Sequence, residues 1–179
     1  MRFTDFLRTT VLLSGGAATA LAVATIAGAD ARGDVFLTGF ALSWWAVAAV
    51  IGGVMGQRSA ATRGIARLLA SARTTPALPE VDPGRMVLNR LWPLALCVVV
   101  AGGLAVLVPQ VPAAATGYFL LLALAWRKQA SAVAAIEDRD GVRFYMERTP
   151  PLKPTRLVRT PGLRKLDLAR EAMRAGAVR

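Results

Sequence analysis

Four stretches of the chain, residues 9–29, 35–57, 91–108 and 113–126, contain no Asp, Glu, Lys or Arg, and the charged residues lie before, between and after them. At 1.5 Å per residue, about 20 apolar residues cover the ~30 Å hydrocarbon core of a bilayer. The first two runs meet that length. A buried helix of a soluble bundle would present a polar face, and 9–29 presents none. The fourth run, taken alone, would make only about 21 Å of helix, which is short for a crossing. Two features lengthen it. Pro112 suits a first helical turn, and Arg127 and Lys128 can snorkel to an interface while residues 130–136 continue the helix.

The run 9–29 also has the outline of a cleavable signal. Arg2 and Arg8 precede it, and Ala27-Gly28-Ala29 or Ala29-Asp30-Ala31 supplies small residues near its end. Its apolar core is longer than the ~7–15 residues usual for a signal peptide. A retained anchor is the better reading.

Charge then orients the chain. Of the 22 basic residues, only Arg32 falls in the turn 30–34, and none falls in 109–112. The others lie in residues 1–8, in the loop 58–90 and from Arg127 onward. The positive-inside rule puts those three segments in the cytoplasm. It also requires the short fourth run to cross, because the tail would otherwise lie outside. The expected architecture is an all-α membrane protein of four transmembrane helices in two hairpins, at 9–29, 35–57, 91–108 and 113–129. Turns at 30–34 and 109–112 lie outside, and a basic tail occupies 130–179. Arginine outnumbers lysine 19 to 3 in a chain rich in Ala, Gly and Val, as a GC-rich bacterial genome imposes. The expected location is a bacterial inner membrane.

Inside lipid, helix association rests on close packing of small residues. Gly52 and Gly56 form a GxxxG step on the second span, suited either to packing within the chain or to a homo-oligomer contact. Trp44 and Trp45 fall near the middle of that span. An indole N–H at such depth wants an acceptor, for which Ser43, Thr38 and Thr116 are candidates. Trp92 and Trp126 sit where belt residues belong.

Much chemistry is excluded. The chain has no histidine, which removes imidazole catalysis and the usual zinc and haem sites. The single cysteine, Cys97, has no intrachain partner and reads as a small hydrophobe in a helix interface. With no ionisable group in the runs, a proton relay or ion pathway built by this chain alone is disfavoured. Glu137, Asp138 and Asp140 could suggest a divalent-ion site, but Asp-Arg-Asp-Gly ending at Gly141 is a common turn signature. No phosphate loop, nucleophile elbow or metal-ligand spacing occurs. Neither a cofactor nor an enzymatic activity is expected.

The polar segments carry what remains. Residues 59–73 read as a helix, with Ile65, Leu68 and Leu69 on one side and Arg63 and Arg67 on another. Pro76, Pro79 and Pro83 then impose an extended connector. Residues 142–147 alternate around aromatics and read as a short strand. It needs a partner, from residues 132–136, from the loop or from another protein. Two Arg-Thr-Pro repeats, at 148–150 and 159–161, suggest an extended basic recognition strip, and 163–178 reads as a closing helix. Arg143, Phe144, Tyr145, Arg148, Arg156, Arg159 and Arg164 are the candidate contact residues. Anionic phospholipid headgroups are the first expected partner and a cytoplasmic or membrane protein the second, with nucleic acid disfavoured.

The tail, with Asp-Arg-Asp-Gly-Val-Arg-Phe-Tyr at 138–145 and its Arg-Thr-Pro pair, resembles small multi-pass membrane proteins of actinobacteria. The resemblance covers about a quarter of the chain and brings no known activity with it. The function expected from the residues is that of a membrane anchor, scaffold or accessory subunit working through its basic loop and tail. The alternative is a component of an oligomeric transporter or channel, joined through the Gly52–Gly56 face. An enzyme acting on lipid headgroups through Glu137, Asp138 and Asp140 ranks third.

Overall fold

The computed structural model describes residues 1–57, 61–74, 83–147, 149 and 155–161. Its helices are α1 (Phe3–Asp30), α2 (Val35–Met55), α3 (Arg63–Ala70), α4 (Pro83–Gly103), α5 (Gln110–Trp126) and α6 (Gln129–Asp140). A single 3₁₀ turn, Leu104–Val106, follows α4. The strands are β1 (Arg73–Thr74), β2 (Val142–Met146) and β3 (Leu157–Pro161). Four helical segments are long and apolar enough to cross a membrane: Phe3–Asp30, Val35–Met55, Gly84–Val106 and Gln110–Asp140. Their exteriors carry exposed Leu12, Val23, Phe36, Val50 and Val99, an apolar surface suited to lipid.

Helix ends do not coincide with the ends of the uncharged runs. A helix stops where its backbone finds a cap, not where a charge appears. α1 begins six residues before its run, because Phe3 and Leu7 lie one turn apart on a face that is buried. At 28 residues it is about 42 Å long, so it outreaches a hydrocarbon core. α4 begins at Pro83, whose fixed φ suits a first helical position. It gives way to the 3₁₀ turn after Gly102 and Gly103, residues of low helix propensity. α5 starts at Gln110 and includes Pro112 in its first turn, so it reaches 17 residues. α6 carries the same direction onward after Arg127 and Lys128.

Packing among the four spans does not follow chain order. α1 and α2 are joined by a tight turn, with Gly33 at φ 63° and Asp34 Oδ1 accepting from the Leu37 N–H at 2.9 Å. Yet these two helices meet at few positions, because α5 lies between them and packs along both. α4 packs more loosely against α1 and α5.

Close approach explains the insertion of α5. A Cβ on Gly52 would sit 2.9 Å from the Leu121 carbonyl oxygen, and one on Gly56 would overlap the Leu124 carbonyl oxygen. A Cβ on Gly117 would overlap the indole of Trp44. The small-residue face of α2 is therefore filled by α5 of the same chain.

The two indoles complete this joint. Trp45 Nε1 donates to the Ala113 carbonyl at 2.8 Å, and Trp44 Nε1 donates to the Ala114 carbonyl at 3.1 Å. The acceptors are backbone oxygens. Ser43, Thr38 and Thr116 instead bond the carbonyls of Gly39, Asp34 and Pro112, four residues back in the chain. Replacing Trp45 with Phe removes the N–H donor together with the five-membered ring that carries it. It is expected to lower bundle stability by about 1 kcal/mol, read as earlier thermal unfolding in detergent. An unchanged melting curve would show that this bond adds nothing.

At one end of the bundle the N-terminus, α3, α6 and the strands form a small α/β cap. Its sheet has the order β1-β3-β2. β2 and β3 are antiparallel, with Phe144 opposite Arg159 and Met146 opposite Leu157, and β1 runs parallel to β3 with Arg73 opposite Val158. The strand expected at 142–147 is thus present. Its partner is β3, part of the segment read from sequence as an extended strip. The all-helical description covers the spans, and the cap adds a sheet. Phe3 and Leu7 of α1, Ile65 and Leu69 of α3, Val133 of α6, and Phe144, Met146 and Leu157 of the strands share one hydrophobic core.

Candidate functional site

Two polar arrangements stand out in the cap, and the first is built on α6. That helix ends at Gly141, whose φ of 60° and ψ of 39° place it in the left-handed region that favours glycine. The reversal sends the chain straight into β2, so residues on the last turns of α6 and the start of β2 face each other. Glu137 is enclosed at that corner, its side chain wholly buried. Its Oε2 accepts from Arg2 at 2.9 Å and from Arg143 at 3.3 Å, and its Oε1 accepts from the Phe144 N–H at 2.9 Å. Arg143 also donates to Asp138 at 2.9 Å. One carboxylate therefore ties together the chain start, α6 and β2.

Backbone pairing reinforces the tie. The Met146 N–H donates to the Met1 carbonyl at 3.1 Å, and Arg2 bridges to Tyr145. The guanidinium of Arg2 is held above the ordinary arginine range, chiefly by its hydrogen bond to Glu137 and against the opposing effect of burial. A buried carboxylate needs such donors, since an unpaired charge in a core is strongly destabilising. Gln129 plays a lesser version of the same part. It is buried, and its Oε1 accepts from the Thr62 N–H at 3.0 Å, fixing the entry to α3.

This geometry separates the acidic trio. Glu137 points inward onto arginines, while Asp138 and Asp140 lie on the outer side of the corner, with Asp140 accepting from Arg139 at 2.9 Å. Among the described residues no group of three His, Cys, Asp or Glu side chains could hold a metal ion.

The second arrangement is basic. Ser71, Arg73, Thr155, Arg156 and Leu157 line a cavity of about 420 Å³ where β1 and the lead into β3 lie side by side. Arg73 and Arg156 are both exposed, and neither guanidinium has a hydrogen-bond or ion-pair partner among the described residues. Arg90 of α4 donates to Thr155 Oγ1, which joins the cavity to that span.

The seven candidate contact residues are not equivalent in this setting. Arg156 is exposed, and Tyr145 and Arg159 are half-buried. Arg143 is engaged with Glu137 and Asp138. Phe144 is a core residue at 3% exposure and is not available as a contact. Period-two alternation along β2 buries Val142, Phe144 and Met146 together. Arg148 and Arg164 lie outside the described residues, as does the helix expected at 163–178. Arg73 and Arg90 were missed by sequence reasoning. The one available signal was their position in the basic loop, and it could not show that they meet the tail.

Comparison of the chain with protein-family models, with curated proteins and with solved structures finds no match.

Proposed function

We propose that this chain is a four-span protein of a bacterial inner membrane with both termini in the cytoplasm. In this reading it is a non-enzymatic anchor, scaffold or accessory subunit that displays a basic cytoplasmic cap to a partner. The observation that carries the proposal is the composition of the cap core. Residues from the N-terminus, the loop after α2 and the segment after α5 are buried together, so the three basic segments act as one body. The chain's net charge of +11, with nearly all of its basic residues in these three segments, gives a strong positive field that attracts anionic surfaces and acidic partners. The core seats the cap on α1 and α6, an arrangement suited to presenting a partner next to the bilayer.

Removal of residues 162–179 tests the reading, because it deletes five basic residues and leaves every described core residue in place. Crosslinking and affinity capture from native membranes should recover a partner with the full chain and lose it with the shortened one. Capture of the same partner by both chains would count against the tail. A reporter fused after Arg179 should be active only inside the cell, and activity outside would overturn the orientation.

A further inference from the structure

The geometry points to a site for one anionic phospholipid, with its phosphate against Arg73 and Arg156 and an acyl chain in the groove between α1 and α4. This goes beyond the partner-binding role above and does not depend on residues 162–179.

The phosphate end rests on the two arginines. β1 and β3 are neighbouring parallel strands in which Arg73 lies opposite Val158, and Arg156 stands two residues before Val158. Adjacent strands are about 4.8 Å apart and diagonal neighbours roughly 7–8 Å, a separation that two long guanidinium side chains lining one cavity can span to reach a single anion. Two like charges lining one cavity repel, and an anion bound between them relieves that repulsion. Guanidinium forks match phosphate oxygens in pairs, and the hydroxyls of Ser71 and Thr155 in the same wall suit a polar headgroup.

The chain end rests on α4. The turn that carries Arg90, which bonds Thr155 in the basic cavity, also carries Val87 and Leu91. These two begin a groove of about 550 Å³, walled by Leu12, Gly16 and Ala20 of α1 and by Val87, Leu91 and Val98 of α4. No charged side chain lines it. The small residues of α1 create the space, and a Cβ on Gly16 would meet nothing within 4 Å. From Val87 to Val99 the groove follows α4 for about 18 Å. An apolar trough of that length, on the helix whose Arg90 reaches Thr155 of the basic cavity, gives the two-part chemistry of a phospholipid. A second copy of this chain, at net +11, would bring an excess of positive charge to the arginine pair instead of an anion.

Native mass spectrometry of the detergent-solubilised full chain, with phosphatidylglycerol or phosphatidylcholine of the same acyl composition, tests the assignment. One phosphatidylglycerol per chain should be retained at least ~10-fold better than phosphatidylcholine. Joint replacement of Arg73→Gln and Arg156→Gln should remove most of that preference. Ala20→Trp, which fills the groove, should lower retention of both lipids. Arg63→Gln with Arg67→Gln, at exposed positions on α3, should leave retention unchanged, and thermal unfolding checks that each variant is folded. Equal retention of the two lipids, or an equal loss in the α3 variant, would overturn the site in favour of diffuse attraction. Inorganic phosphate binding as tightly as the lipid, with Ala20→Trp harmless, would mean a soluble phosphate ligand. Dimers that exclude lipid would mean that a second copy fills the groove.

Discussion

Replacing Glu137 with Ala is expected to unfold the cap while leaving the spans helical. The substitution removes the carboxylate that Arg2 and Arg143 share, leaving Arg143 with Asp138, and orphans the buried N–H of Phe144. Breaking a buried charged network from one side costs about 3 kcal/mol or more, because the remaining donors stay desolvated. Both arginines are partly exposed and can turn to water, which keeps the cost near the lower end of that range. Glu137→Gln is expected to do about half the damage, since its amide oxygen can still accept from Phe144. Limited proteolysis would read the effect as new cleavage within β2 and β3, with the spans protected. A cap as resistant as the native one in Glu137→Ala would show that the hydrophobic core holds it without the clamp.

The contribution of Arg2 to this clamp is insensitive to pH over the neutral range. Arg2 is raised above its ordinary value in the folded chain. A raised base contributes stability that is fully present below its unfolded value and is lost only as pH rises through the folded one. That window lies in strong alkali. Proteolysis of the native cap should therefore show no change attributable to Arg2 between neutral pH and moderately alkaline conditions.

Replacing Gly56 with Leu is expected to separate α2 from α5. Even a Cβ at this position overlaps the Leu124 carbonyl oxygen, and backbone cannot swing aside as a side chain can. The helices must move apart. Overpacking of that kind costs roughly 1–3 kcal/mol. The movement also stretches the bonds from Trp44 and Trp45 to the Ala114 and Ala113 carbonyls. Gly53→Leu is the matched control, because a Cβ at Gly53 meets nothing within 4 Å. Thermal unfolding in detergent should fall sharply for Gly56→Leu and stay near the native value for Gly53→Leu. Similar curves for the two would show that the interface of α2 and α5 tolerates spreading.

Several features were open to a reading of the residues alone, each because a local rule governed it. The four apolar runs announced helices fit for a bilayer, since length and lack of charge are sufficient signals there. The alternation from Val142 to Met146 announced a strand. Gly141 after Asp-Arg-Asp announced a chain reversal, which the left-handed backbone at that residue fulfils. Other features were hidden. Nothing local distinguishes Glu137 from Asp138 or Asp140, yet one is enclosed and the others are not. Phe144 looked like an exposed recognition aromatic because its partner strand begins 13 residues later, beyond any local pattern.

Composition and local pattern already settle the number of helices fit to span, the segregation of charge and the lack of histidine. These depend on composition and on periodicities within one element. Only the tertiary structure decided that α5 lies between α1 and α2, because glycine spacing cannot say which backbone will fill a flat face. It alone decided that a chain start, a loop and a tail fold into one cap, and that Arg73 and Arg156 line one cavity. Such pairings join residues more than 60 positions apart. They are selected by the shared burial of many side chains, a property that no single stretch of the chain contains.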